Sequence, residues 1–323
     1  MGNRRSTREP AKKKAKTTPD DWRAEWATST VSEEMLKKLV DDGLLPEQAV
    51  AGWRSAEGEK TPYPDTHQLV VFVDYFLRGF GLPLHPFVRG LLEYYDISLC
   101  HLHPNSMLHI SIFIHYCETY LGIAPHFNLF RHFFNLKRSG QGSGICGGVY
   151  LQLRDGMAER YIAVPLNTNV KDWSRKWFYI ADVEPYTRCA VDVFPERKPS
   201  WYEKPTYSQM VQVDELLKLI DRENLNGVGV AANFLFRRVQ PCKQRVHPGY
   251  EYRGDNDPTR EQNRPLGKDE CKRRLEQMFA KDTSIATKGM QNPFSVSNPP
   301  PPQVLRPTTF GLHSNRFGLC LSY

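Results

Sequence analysis

The residues of this chain best suited to chemistry are histidines, cysteines and aspartates. His101, His103, His109, His115, His126 and His132 lie in one stretch with Cys100 and Cys117. A zinc site needs about four nitrogen or sulfur ligands converging as a tetrahedron. His101 and His103 share a direction on an extended segment, but His109 and His115, six apart, fall on different faces of a helix. No CxxC or HxxxH pair accompanies them. The spacing therefore favours packed or exposed histidines over a metal centre, and no cofactor is expected.

Among the acids, Asp74, Asp182 and Asp192 each lie in or after a strand-like run. Three carboxylates that hold two metal ions on one sheet could drive DNA strand transfer. That is the alternative, enzymatic reading: a metal-dependent transposase using acidic residues. Spacing does not single these three out, and no catalytic residue is assigned. Leu39-Val40-Asp41-Asp42 matches a paired-aspartate motif, yet it ends a helix before Gly43, where the strand hairpin such chemistry needs is missing. Gly142-x-Gly144-x-x-Gly147 has the dinucleotide spacing. It is read as lying between a helix and the strand Val149–Leu153, the reverse of the order that aims helix N–H groups at a pyrophosphate, and so as a loop.

The elements that position these residues follow from apolar spacing. Phe87, Val88, Leu91, Leu92 and Tyr95 recur at helical intervals behind Pro86. A second helix, capped by Asn105 or Ser106, carries Met107, Ile110, Phe113, Ile114, Cys117 and Leu121 inward, and Gly122 ends it. A third opens at Pro125 with Phe127, Phe130, Phe133 and Phe134. Thr30 or Ser32 caps an earlier helix striped by Met35, Leu36, Leu39 and Val40, and Val211–Glu223 is a later amphipathic one. Lys268–Lys281 is a possible mixed-charge helix. Gln68–Phe72 reads as a strand. Val149–Leu153 and Tyr161–Pro165 suggest a hairpin, which Lys176–Ile180 and Ala190–Phe194 could extend into a small antiparallel sheet. Trp173 and Trp177 would cover one of its faces.

The blocks GFGLPLHPFVRGLLEYY, LHPNSMLHISIFIHYCETYLGI and APHFNLFRHFF resemble the plant family of gypsy-type transposon domains, or transposases. WSRKWFYI, NGVGVAANFLFRRVQP and RVHPGYEYRGDNDPTR follow in order, so the resemblance runs from about Thr66 to Arg260. It implies an origin in a retrotransposon and brings no catalytic residues with it.

Composition places the charge. Arg4, Arg5, Arg8, Lys12, Lys13, Lys14 and Lys16 face only Glu9 within residues 1–16, so the tail accounts for nearly all of the net +7. The body is close to neutral, which argues against a strongly basic nucleic-acid-binding body. The tail fits non-specific DNA or RNA binding, or nuclear import. The seven cysteines are scattered and odd in number, as expected of reduced thiols inside a cell. No membrane segment is expected, and the nucleus is favoured over the cytoplasm. The expected fold is α+β and helix-dominated, a three-helix core with a small antiparallel sheet. Residues 1–29 form a disordered basic tail, 30–265 a globular body, 266–281 a short helix, and 282–323 a disordered proline-containing tail. The expected function is a non-catalytic, transposon-derived protein whose body contacts protein partners or itself.

Overall fold

Residues 68–72 hold two β-branched valines and an aromatic Phe72, and they form strand β1 (Gln68–Phe72) with four of five side chains buried. A computed structural model describes residues 22–139, 144–158, 160–161, 166–167, 170–183, 186–222, 230 and 268–279. Residues 1–16, Gly227–Phe236 apart from Val230, 241–265 and 282–323 thus lie outside the described residues.

The helices are α1 (Glu33–Asp41), α2 (Gln48–Ala51), α3 (Val73–Leu77), α4 (Pro86–Tyr95), α5 (Pro104–His115), α6 (Phe127–Phe133), α7 (Tyr207–Arg222) and α8 (Lys268–Met278). The remaining strands are β2 (Phe134–Arg138), β3 (Val149–Leu153) and β4 (Trp177–Ala181). The fold is α+β and dominated by helices, as the sequence implies. Ser32 caps α1 through its side chain, which accepts from the Met35 N–H, and the acids Glu33 and Glu34 in the first turn suit the helix dipole. α5 does not close on a simple last turn. It runs on into a π-helical turn, Tyr116–Leu121, before Gly122 stops it in the left-handed conformation.

The strand pairing differs from the expected single sheet. β1 pairs antiparallel with β4, from Gln68 opposite Ala181 to Phe72 opposite Trp177. β2 pairs antiparallel with β3, from Phe134 opposite Leu153 to Arg138 opposite Val149. β3 thus takes the chain before the glycine loop as a partner. Residues 162–165 lie outside the described residues, and Tyr161 is a buried core side chain. Residues 190–194 form no strand. Phe134 opens β2 and does not continue α6. The glycine loop consequently joins two strands; the helix expected before it is absent.

The two pairs are held together by one aromatic core. Phe87 and Phe113 stack at 5.5 Å between ring centres, and Phe130 meets Phe113 edge-on at 5.0 Å. Phe130 and Phe134 lie 4.8 Å apart, and Phe133 and Tyr161 lie 5.3 Å apart. Each such pair adds about 1 kcal/mol beyond the burial of its area. Three buried polar tips reach carbonyls distant in sequence. Tyr161 donates its hydroxyl to the His109 carbonyl at 3.0 Å, Trp26 its indole N–H to Val191 at 2.9 Å, and Trp201 to Tyr95 at 2.9 Å. These bonds draw the segments at 191 and 201 onto the helical core. Trp173 packs on Phe72, the residue opposite Trp177 in the strand pair. Trp177 is fully buried in β4, whereas Trp173 sits on the 3-10 turn before it.

Candidate functional site

Four of the histidines are taken up at helix starts. His85, His103 and His126 immediately precede α4, α5 and α6, and the Nδ1 of each accepts a backbone N–H, from Phe87 at 3.0 Å, Asn105 at 3.2 Å and Leu129 at 3.1 Å. His101 does the same for Ser98 at 3.0 Å in the preceding 3-10 turn. A backbone N–H can only donate, so Nδ1 is unprotonated in all four and the proton sits on Nε2. From there His85 donates to Glu118 Oε1 at 2.8 Å, His101 to the Val193 carbonyl at 2.8 Å, and His126 to Gln212 Oε1 at 3.4 Å. The caps of α5 and α6 are therefore His103 and His126, in place of the expected Asn105 or Ser106 and Pro125. His85-Pro86 and His103-Pro104 repeat one arrangement, a histidine cap followed by the proline that suits the first helical position.

His109 and His115 are buried within α5, and His132 is half-buried on α6. Burial pushes His101, His103 and His109 down to about 4, and also lowers His126 and His132. Cys100 and Cys117 are buried free thiols, raised by the same desolvation. Among the described residues, no group of three or more histidine, cysteine, aspartate or glutamate side chains is arranged to hold a metal ion.

The acids are also committed elsewhere. Asp74, buried on α3, takes Arg78 Nη1 at 3.0 Å and has Lys176 Nζ at 3.5 Å from its other oxygen. Arg78 goes on to donate to Asn105 Oδ1 at 3.2 Å, and Asn105 to the Asn167 carbonyl at 3.0 Å. This chain of contacts ties α3 to the start of α5. Asp182, also buried, is held by Arg89 Nη1 at 3.3 Å and by the Thr187 N–H. Asp192 is exposed.

Strand direction separates the first two. Asp74 lies just past the Phe72 end of β1, and Asp182 just past the Ala181 end of β4. Because β1 and β4 are antiparallel over five residue pairs, the two carboxylates stand at opposite ends of one sheet, about 17 Å apart along it. Two catalytic metal ions lie about 4 Å apart, so Asp74 and Asp182 cannot share such a pair. Asp41 and Asp42 are exposed at the end of α1, where Asp42 pairs with Lys38 at 3.5 Å.

Pattern reading missed the arginines that do this work. Arg154 donates from Nε to the carbonyls of Arg131 at 2.8 Å and Phe134 at 3.0 Å, and from Nη2 to those of Tyr202 at 3.2 Å and Glu203 at 2.8 Å. An isolated arginine at a strand end carries no periodic signal that would have flagged it. Arg4, Arg5, Arg8, Lys12, Lys13, Lys14 and Lys16 lie outside the described residues.

Residues 70–138 match the family model described as putative gypsy type transposon. The gypsy-type segment runs from inside β1, through α3 to α6, to the last residue of β2. It contains the three blocks that carry the resemblance up to Phe134, whereas the blocks at Trp173, Asn226 and Arg245 lie beyond the match. No curated protein and no solved structure matches the chain. The segment holds every capping histidine but neither β3 nor β4, so both of its outer strands find their partners outside it. Among the described residues, no helix is long and apolar enough to cross a membrane.

Proposed function

We propose that this chain is a transposon-derived, non-catalytic protein, with an interaction body spanning residues 30–265 and a basic tail that contacts nucleic-acid phosphates without reading sequence. The observation that carries the reading is the separation of Asp74 from Asp182, each already bound to an arginine, which leaves the conspicuous acids without a shared metal site. The charge distribution supports the other half. Seven basic side chains against one acid in residues 1–16 give a short polycation on a near-neutral body, and such an arm binds by releasing counterions from the phosphate backbone. The same groups, Arg4-Arg5 and Lys12–Lys14 with Lys16, suit nuclear import. Protein partners or a second copy of the chain would engage the body.

The test compares the full chain with a form in which the seven basic tail residues are glutamine, on generic duplex DNA and single-stranded RNA at two salt concentrations. With all seven engaged on duplex DNA, log K should fall against log salt with a slope of about −6, and the glutamine form should not bind. Equal binding by the glutamine form, or divalent-metal-dependent strand cleavage lost on Asp192→Asn, would sink the reading and favour a strand-transfer enzyme.

A further inference from the structure

The histidines that start the helices share a property their capping role does not by itself require: each functions only while neutral. We propose that His101, His103 and His126 form a proton-sensitive latch on the helical core, closed while their Nδ1 atoms accept backbone N–H groups and opened by proton uptake in acid. A protonated imidazole donates from both nitrogens, so the N–H of Ser98, Asn105 or Leu129 would face a donor in place of an acceptor. All three bonds would be lost together with the starts of α5 and α6.

The groups around each ring do little to favour its charged form. His101 faces the Val193 and Ala190 carbonyls, with Arg188 opposing its charge and Asp96 favouring it. Asp96 is already paired with Arg188 and Lys198. His103 faces Arg78, which opposes, and Asp74, which favours but is bound by Arg78 and Lys176. His126 faces the neutral amide of Gln212, and the Cys117 thiol lies at its main chain. His85 is built differently, with the Glu118 carboxylate 2.8 Å from Nε2, and the latch does not rest on it.

The sign follows from burial. His101 and His103 are held down to about 4, while an imidazole in the unfolded chain takes its proton near 6.5. Below about pH 6.5 the unfolded chain therefore binds protons that the folded chain refuses. The stability that neutral histidines confer is complete above that pH and is lost as pH falls toward about 4. Each contributes up to about tenfold in the unfolding constant per pH unit. His109, buried in the same way but capping nothing, adds to the slope in the same direction.

Urea unfolding of the full chain between pH 8 and 5, a window above most carboxylate titration, tests the latch. The comparison is His103→Asn with His126→Asn, since asparagine keeps a capping oxygen and cannot take the proton. The original chain should lose stability steeply below pH 6.5, and the double variant should lose up to about a hundredfold less per pH unit. Ring-proton NMR of the unaltered chain gives a readout that does not depend on the variants folding. It should show the His101 and His103 rings remaining neutral down to pH 5. An unchanged slope in the double variant, or capping rings that titrate near 6.5 in the folded chain, would overturn the proposal.

Discussion

Trp173 lies against Gly147 with no room between them: a methyl group placed on Gly147 would come within 2.4 Å of the indole. Gly147 is the last glycine of the G-x-G-x-x-G spacing, so the feature that imitates a phosphate loop is a slot for a tryptophan. The indole then meets Phe72 of β1 at 4.9 Å and His103 at 5.5 Å, which locks the loop between β2 and β3 onto the other strand pair. Gly147 also sits at φ +68, in the left-handed region. Gly147→Ala should therefore cost about 3 kcal/mol, from backbone strain together with displaced packing. Gly156→Ala, at φ +77 but with nothing within 4 Å, should cost only the strain, about 1 kcal/mol. Urea midpoints of the two variants check the difference, and equal losses would mean that the slot is not tight.

Asp74→Asn should be damaging for structural reasons. It leaves Arg78, 6% exposed, as an uncompensated buried charge, and a loss of about 3–5 kcal/mol is expected. Replacing both, Asp74→Leu with Arg78→Met, should recover much of that loss, because two similar apolar groups need no partner. Chemical denaturation of the two singles and the double gives the coupling. Additive losses would show that the pair is not the source of the cost.

Arg154→Lys keeps the charge but not the fork. One ammonium cannot reach carbonyls at 131, 134, 202 and 203, so about 2–3 kcal/mol should be lost. The segment from Pro199 to Thr206 should release first. Limited proteolysis would locate new cleavage there, and an unaltered digestion pattern would argue against the clamp.

Tyr161→Phe removes only the hydroxyl that bonds the His109 carbonyl, at an expected cost of about 1–2 kcal/mol. Tyr161→Ala also empties the space among Phe113, Phe133 and Phe134 and should cost about 3–5 kcal/mol. Thermal melts at pH 8 separate the two.

Local pattern proved informative where the physics is local. α4 begins at Pro86 and buries Phe87, Val88, Leu91, Leu92 and Tyr95, as the spacing of those residues requires. Val213, Leu217 and Ile220 mark the inner face of α7, and Gln68–Phe72 is a strand. The pairing of β1 with β4 could not be read this way, because it joins residues more than a hundred positions apart and leaves no mark in either strand. The pairing of β2 with β3 was passed over because a neighbour on the other side in sequence looked equally suitable for β3. Histidine was passed over as a cap because serine, threonine, asparagine and aspartate are the usual choices. The repeated His-Pro was the available clue. The alternative of a metal-binding triad depended on which ends of the strands carry the acids, and antiparallel pairing puts Asp74 and Asp182 at opposite ends.

The pairing of the two outer strands of the gypsy-type segment bears on how such a stretch can be inherited. Residues 70–138 cut free would carry two unmatched strand edges, each a template for joining another chain. A recombination event that moved only this stretch into a new gene would deliver a product prone to clump. For the segment to survive transfer, Val149–Leu153 and Trp177–Ala181, or substitutes for them, must travel with it. A self-sufficient folding unit thus reaches at least to residue 181, well past residue 138, where the family match ends.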